Sequence, residues 1–436
     1  MYIVKILFRK ISIVILFALI FILSHASFSF SATLYDLCYS KEPLNYGKLY
    51  FMRYKNPMLE PVLRTYELYL FDPVSGKLSS LQQFDEKLYI PPAISPDKST
   101  VCYHSLIEGT DFLTTKNIEI GKSIKLRFDT GGYFVTIGID YDNDRVAAAV
   151  KRGEDRQAIY LISGRASTVN RVFNGHNFDE VGFLYNGNIY FIDNINEQRV
   201  LGLVYEKTKE HHIISRGVDY IKRAPNGNAI IYSRRNELYI FRAQGKKSIL
   251  ISENFSPENP PLISEDGSTF AVFEEGKIFI VNIPSGDIFY YLSMEIENTQ
   301  SILSNFNYYV AKEGKLFYLN HKKPGQSLTE LFEDEEGIDL LTVSPNDRYI
   351  IYRNKNLKEI IVYDKKEDKH YRKTFPFTVQ EVLYTAPSEQ FYVIGLSKAS
   401  DAVPVRELYL YDFVKESISP ISTSQNTDIK PYQRNW

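Results

Sequence analysis

A short turn rich in Pro, Asp, Asn and Gly recurs through most of this chain at a pitch of about forty residues, and that repetition restricts the fold more than any other feature. The turns are Ser95-Pro96-Asp97-Lys98, Tyr141-Asp142-Asn143-Asp144, Tyr185-Asn186-Gly187, Pro225-Asn226-Gly227, Glu265-Asp266-Gly267, Ser304-Asn305-Phe306, Pro345-Asn346-Asp347 and Pro387-Ser388-Glu389. With Asp97, Asp142, Asn186, Asn226, Asp266, Asn305, Asn346 and Ser388 as register marks, the steps are 45, 44, 40, 40, 39, 41 and 42 residues. Pro presets φ at the first turn position, Asp or Asn bonds back to its own backbone, and Gly accepts a positive φ. Such turns join adjacent antiparallel strands.

Apolar runs of strand length flank each mark. Asn228–Ser233, Thr269–Phe273, Tyr349–Arg353 and Gln390–Gly395 follow four of them. A third run comes next in each module: Glu67–Asp72, Ala158–Ile162, Glu237–Phe241, Lys277–Val281, Lys315–Leu319, Glu359–Asp364 and Glu407–Asp412. A weaker outer run closes the module, as at Lys77–Leu81 and Ser248–Ile251. The 33 Tyr and 28 Phe against 1 Trp and 4 Met suit half-buried pleated surfaces. Four strands per module, with no helical pattern between them, predict an all-β protein. Its architecture is a β-propeller of four-stranded blades. Eight blades are expected, with seven or nine as alternatives. Gly47–Glu86 looks like a further unit lacking its first strand and turn, which either Thr33–Ser40 or the tail Asp428–Trp436 would complete. The propeller is expected over 47–423, with 424–436 as a tail available for ring closure.

The marks Ser95-Pro96-Asp97, Ala224-Pro225-Asn226-Gly227, Ser264-Glu265-Asp266-Gly267 and Ser344-Pro345-Asn346-Asp347 resemble the SPDG-type turn of TolB-like and WD40-like propellers. The same repeat occurs in the propeller domains of prolyl-oligopeptidase-type enzymes. The resemblance covers most of the chain after its first residues and implies the fold strongly, the function weakly. The short segment 33–46 leaves no room for the α/β domain that precedes the ring in TolB, so a role equivalent to that protein's does not follow.

The first residues have the layout of a secretory signal over 1–32. Lys5, Arg9 and Lys10 precede the apolar run Ile11–Leu23, and the Ser/Ala-rich stretch Ser24–Ala32 follows. The run is short of the roughly 20 residues that a spanning helix needs. Cleavage and export to a periplasmic or extracellular space are therefore expected, with an uncleaved anchor as the alternative. Tyr35-Asp36-Leu37 before Cys38 lacks the small residues of a lipoprotein signal. The two cysteines, Cys38 and Cys102, form a candidate disulfide in an oxidising compartment. Two separate thiols are the alternative.

The 51 basic and 53 acidic residues nearly balance, and no polybasic arm is present, which argues against a nucleic-acid partner. No G-x-S-x-G elbow occurs, so the hydrolase chemistry of the peptidase relatives is not expected. Asp140-Tyr141-Asp142-Asn143-Asp144 alternates acids as the start of a calcium loop does. Arg145 and Lys151, however, stand where that loop needs Gly and an acid. The histidines His25, His104, His176, His211, His212, His321 and His370 are scattered, and the adjacent pair lies on opposite faces of a strand. The charge runs 333–336 and 365–369 read as solvated connecting loops. No catalytic, cofactor or metal-ligating residue is assigned. The expected role is a non-catalytic scaffold for a protein, peptide or glycan partner in the cell envelope. The alternative is a lyase or hydrolase acting at the channel on an exported polymer.

Overall fold

The computed structural model describes residues 49–431 apart from 56–64, 86–91, 96–99, 108–109, 118–120, 128–132, 141–144, 153–155, 164–167, 246, 265, 275, 294–298, 324–326, 385–388, 399–403 and 423–426. The leader, the anchor alternative and Cys38 lie outside the described residues.

All regular structure in the described residues is β, and it forms nine sheets of four antiparallel strands. In eight of them the strands are consecutive in the chain and laid side by side in order. The ninth takes three strands from the start, Leu49–Lys55, Thr65–Asp72 and Lys77–Asp85, and its fourth, Thr427–Pro431, from the far end. Numbered from the N-terminus, this composite sheet is blade 1 and the others are blades 2 to 9. The fold is a β-propeller. Nine blades is one more than the favoured eight and lies within the expected range. Blade 1 carries no turn of the recurring kind because its first strand and its second are not joined by a hairpin. Thr427 pairs with Lys55 and Pro431 with Phe51 instead.

The first strands of successive blades meet one another, which places them at the axis. From blade 2 onward these innermost strands are Ala93–Ile94, Tyr133–Ile139, Phe178–Phe183, Tyr220–Arg223, Leu262–Ile263, Gln300–Leu303, Asp339–Val343 and Thr378–Tyr384. They run in one direction, so their last residues share one end of the ring.

The blades cohere because the second strands of blades 3 to 8 bury both faces. In Tyr349–Arg353 the side chains alternate between neighbours: Ile350 and Tyr352 join the core against blade 7, Tyr349 and Ile351 the core against blade 9. Each hydrophobic cluster of the described residues is shared in this way by two blades, including one between blades 9 and 1 built from Leu49, Phe51, Tyr392 and Leu408. Among the described residues no blade has a core of its own, so a single module has nothing to fold against. At roughly 25 cal/mol per Å² of apolar surface, the stability of each blade resides in its neighbours.

Candidate functional site at the axial ends of the inner strands

From blade 2 onward the recurring turns fall in the chain between the innermost strand and the second. Their serine has a specific task. Ser95, Ser264, Ser304 and Ser344 are buried, and each Oγ accepts the N–H of the residue that opens the next strand, at 2.9 Å from Thr100, 3.0 Å from Thr269, 2.9 Å from Asn307 and 2.8 Å from Tyr349. The acid or amide that follows caps the turn itself: Asp266 Oδ1 accepts the Ser268 N–H at 2.9 Å and Asn226 Oδ1 the Asn228 N–H at 3.0 Å. These residues are spent on architecture.

Between blades the turns bond to one another. Asn226 donates to the carbonyls of Asp266 and Gly267, and the Asp266 N–H donates to Asn305 Oδ1 at 2.7 Å. Across blades 7 and 8, Asp347 receives the Asn307 amide and the Tyr309 hydroxyl, the latter at 2.8 Å. Lys365 Nζ donates to both Tyr309 Oη at 2.7 Å and Asp347 at 3.0 Å. Burial first, and the Asp347 charge second, push the Tyr309 phenol far above the ordinary tyrosine value.

A cavity of about 250 Å³ opens beside these turns. Ile263, Leu303, Val343 and Tyr384, four of its walls, are the last residues of the innermost strands of blades 6 to 9. Four equivalent positions in succession can meet only near the axis, so this cavity is the mouth of the central channel. Its polar lining is Ser304, Asn305, Thr342 and Ser344. Among the described residues Tyr384 is its one titratable lining residue, and burial pushes that phenol well above its ordinary value, keeping it neutral. Apolar walls with hydroxyl and amide groups suit an uncharged side chain or a saccharide ring that offers a few hydrogen bonds. On the inner strand of blade 5, Lys222 has its amine pushed below the ordinary lysine value by burial. Its neighbour Arg223 is buried and donates to the Phe183 carbonyl at 2.9 Å.

The histidines are not brought together. His104 is buried beside the Phe134 ring in blades 2 and 3, and His211 and His212 are exposed on blade 4. His321 is buried in blade 7, and His370 packs edge-on to Phe332 in blade 8. Asp140 is buried and accepts Arg145 Nε at 2.7 Å, while 141–144 lie outside the described residues. Among the described residues no group of three or more His, Cys, Asp or Glu is placed to hold a metal ion. Cys102 is fully buried in the second strand of blade 2.

The charge runs are less solvated than their composition suggests. Asp334 is buried and accepts the Tyr352 hydroxyl at 3.0 Å and Arg372 at 3.1 Å. The 365–369 run lies at a turn within blade 8 rather than between blades, and Lys365 reaches into the Tyr309–Asp347 pair. Cation-bearing and acidic side chains near buried partners are held inward by hydrogen bonds that a count of charges does not reveal.

No family model matches this chain, and no curated protein matches it. Among solved structures it is similar to TolB from Acinetobacter baumannii, at 14% identity and a TM-score of 0.37 over 55% of this chain and 61% of that one. It is similar to a prolyl endopeptidase at 12% identity and a TM-score of 0.43, covering 79% of this chain and 50% of the endopeptidase. An oligogalacturonate lyase solved with manganese is similar at 10% identity and a TM-score of 0.40, over 71% of this chain and 83% of the lyase. The chain thus spans less than two thirds of the TolB structure and half of the endopeptidase structure it matches. At repeat level, its likeness is to TolB-like and WD40-like β-propellers.

Proposed function

We propose that this propeller is an exported, non-catalytic binding scaffold that holds a protein or peptide partner in the cell envelope through its axial cavity. The observation that carries the reading is the chemistry of the cavity at the inner-strand ends. Apolar walls from four consecutive blades surround Ser304, Asn305, Thr342 and Ser344. General acid–base chemistry on a polymer needs a group that can change protonation near neutral pH. The Tyr384 phenol, held neutral, does not provide one. The Thr342 hydroxyl and the Asn305 side-chain amide, set in an apolar wall, fix the orientation of a bound side chain without reacting with it.

Chemical crosslinking in intact cells followed by capture of the chain tests this. Thr342→Trp fills the cavity from a partly exposed position. The expected result is a specific crosslinked partner that falls about tenfold or more in this variant and persists in Lys207→Gln, a change on an exposed turn of blade 4. Equal recovery from Thr342→Trp and the unaltered chain would remove the cavity from the reading. Turnover of an envelope polymer by the purified chain, lost in Thr342→Trp, would favour the enzymatic alternative.

A further inference from the structure

A second cavity, of about 480 Å³, lies on blade 3 at the end of the ring opposite the axial one. It is placed there by the ends of three strands: the close of Arg145–Arg152, the start of Arg156–Ser163 and the close of Thr168–Gly175. Cross-strand register sets its composition. Val150, Ala158 and Asn174 form one row, and Tyr160 with Arg171 the next, on a single face of the sheet. Arg152 extends that face by period two beyond Val150. Val150, Ala158 and Tyr160 belong to the core between blades 2 and 3, so the inner part of the cavity is apolar. Its rim holds Arg152, Arg171, Asn174 and His176.

Among the described residues the charge of this rim is not neutralised. Neither Arg152 nor Arg171 has a carboxylate partner among the described residues; Arg152 lies over the Tyr160 ring, 5.5 Å from its centroid. Several arginines elsewhere in the described residues are paired with acids. Arg145 pairs with Asp140 and Glu206, Arg348 with Asp364, and Arg372 with Asp334. The wall that carries His176 is fixed. The fully buried Asp193 accepts the His176 N–H at 3.1 Å and the Asn177 N–H at 2.7 Å, and stands 3.5 Å from His176 Nδ1. Buried Gln157 accepts the Phe178 N–H at 2.8 Å and donates to Asn177 Oδ1 at 3.1 Å. A Cβ at Gly175 would lie 2.3 Å from the Phe178 ring and 2.7 Å from Asp193 Oδ2, so the chain turns here against a packed surface. Two buried side chains, Asp193 and Gln157, therefore hold a loop whose exposed faces line the cavity, and keep it in one shape for a ligand.

We propose that this cavity binds a carboxylate carried on an apolar carbon body. Two guanidinium groups offer the planar paired donors that match a carboxylate. The inner wall accepts the ligand's carbon atoms against Val150, Ala158 and the Tyr160 ring. A phosphate fits less well, because its further oxygens would meet that apolar wall with no donor and be desolvated. The carboxylate comes either from an acidic peptide or from a small organic acid.

Titration calorimetry of the full chain at low salt decides the matter, with acetyl-Leu-Glu-Leu-amide, 4-methylpentanoate and inorganic phosphate as probes. The expected result is saturable one-to-one binding of the peptide or of 4-methylpentanoate, weakened about tenfold or more by Arg171→Gln and by Arg152→Gln and changed less than about twofold by Lys207→Gln. Tighter peptide binding identifies a peptide source and tighter 4-methylpentanoate binding an organic acid. Both arginines are exposed, Arg152 giving up only its contact over the Tyr160 ring, and an unaltered melting temperature verifies the fold of each variant. The proposal fails if neither carboxylate saturates the unaltered chain. It fails equally if Lys207→Gln weakens binding as much as the arginine changes do, which would mark a general charge effect. Phosphate bound as tightly as the carboxylates would also overturn it.

Discussion

The side-chain amide of Asn226 donates to the main-chain carbonyl of Asp266 at 2.9 Å, and the two residues hold the same place in neighbouring blades, one repeat apart. The bond turns a local turn residue into a coupling between modules. Asp266 repeats the arrangement one step on, with its N–H donating to Asn305 Oδ1 at 2.7 Å. The short polar residues that recur along the chain thus stitch successive turns together around one end of the ring.

Replacing Asn226 by Ala removes both the cap of its own turn and the bond to blade 6. The expected loss is about 1–3 kcal/mol of stability. Asn226→Asp keeps the turn-capping oxygen but not the donor, and should fall between the two. Chemical denaturation midpoints of the three chains check the order. An Asn226→Ala chain as stable as the original would show that the inter-blade bond contributes nothing.

Gly202 faces Phe191 across paired strands, and a Cβ built on it would sit 2.2 Å from the ring tip. Phe191 is fully buried and stacks on Phe173 at 4.5 Å between centroids, so the ring has little room to withdraw. Gly202→Ala should destabilise by about 1–3 kcal/mol through overpacking. Adding Phe191→Leu to it should return part of that loss, since the two sites share one contact. A thermal-denaturation double-mutant cycle with no coupling between the sites would contradict this.

Burial holds the His321 imidazole below the ordinary histidine value, with Lys322 acting in the same direction; its Nε2 shares a 3.1 Å hydrogen bond with the Ser304 carbonyl, which opposes the shift less strongly. Its Nδ1 is buried without a partner among the described residues, so a proton added there finds no acceptor. Burial, and then the nearby Arg372, likewise hold His370 low. For a base whose folded value is depressed, the unfolded chain takes up the proton first. Stability should therefore be full above about pH 6.5 and decline as the pH falls below it toward the folded values. His321→Gln should flatten melting temperature against pH between about 6.5 and 5, whatever its effect at neutral pH. An unchanged slope in that window would exclude His321 as its source.

Thr427–Pro431 is the innermost strand of blade 1 and pairs with Phe51–Lys55. A chain ended after Ser422 loses this strand while keeping every residue of blades 2 to 9. It should unfold less cooperatively and lose about 3–5 kcal/mol, at roughly 1 kcal/mol per backbone hydrogen bond. Ending the chain after Pro431 should leave stability nearly unchanged. Calorimetry on the two truncations separates closure from mere shortening.

Much of the fold is legible in residues 93–422. Glu237–Arg242 and Lys277–Asn282 begin where their apolar runs begin. They are legible because both faces of each strand are buried, so the run is continuous rather than alternating. The serine of the turn was less visible: its bond reaches forward five residues in Ser264 and Ser344, a spacing that reads as nothing until the hairpin is formed. Asp334 and Lys365 looked like members of solvated charge runs because their partners, Tyr352 and Tyr309, lie on other strands. The axial cavity was expected only as a channel with unknown lining. The pocket of blade 3 left no mark at all, since Arg152 and Arg171 come to line one cavity only once their strands are paired.

Taken alone, the residues determine a four-stranded module and its repetition, because hairpin turns and buried strands depend on φ preferences and apolar surface within a few residues of one another. The tertiary structure decides that there are nine blades, that Asp428 pairs with Tyr54, and that Ile263, Leu303, Val343 and Tyr384 converge on one cavity. Those outcomes depend on the angle at which one blade packs on the next. That angle is the sum of many side-chain contacts between modules, and no local pattern encodes it.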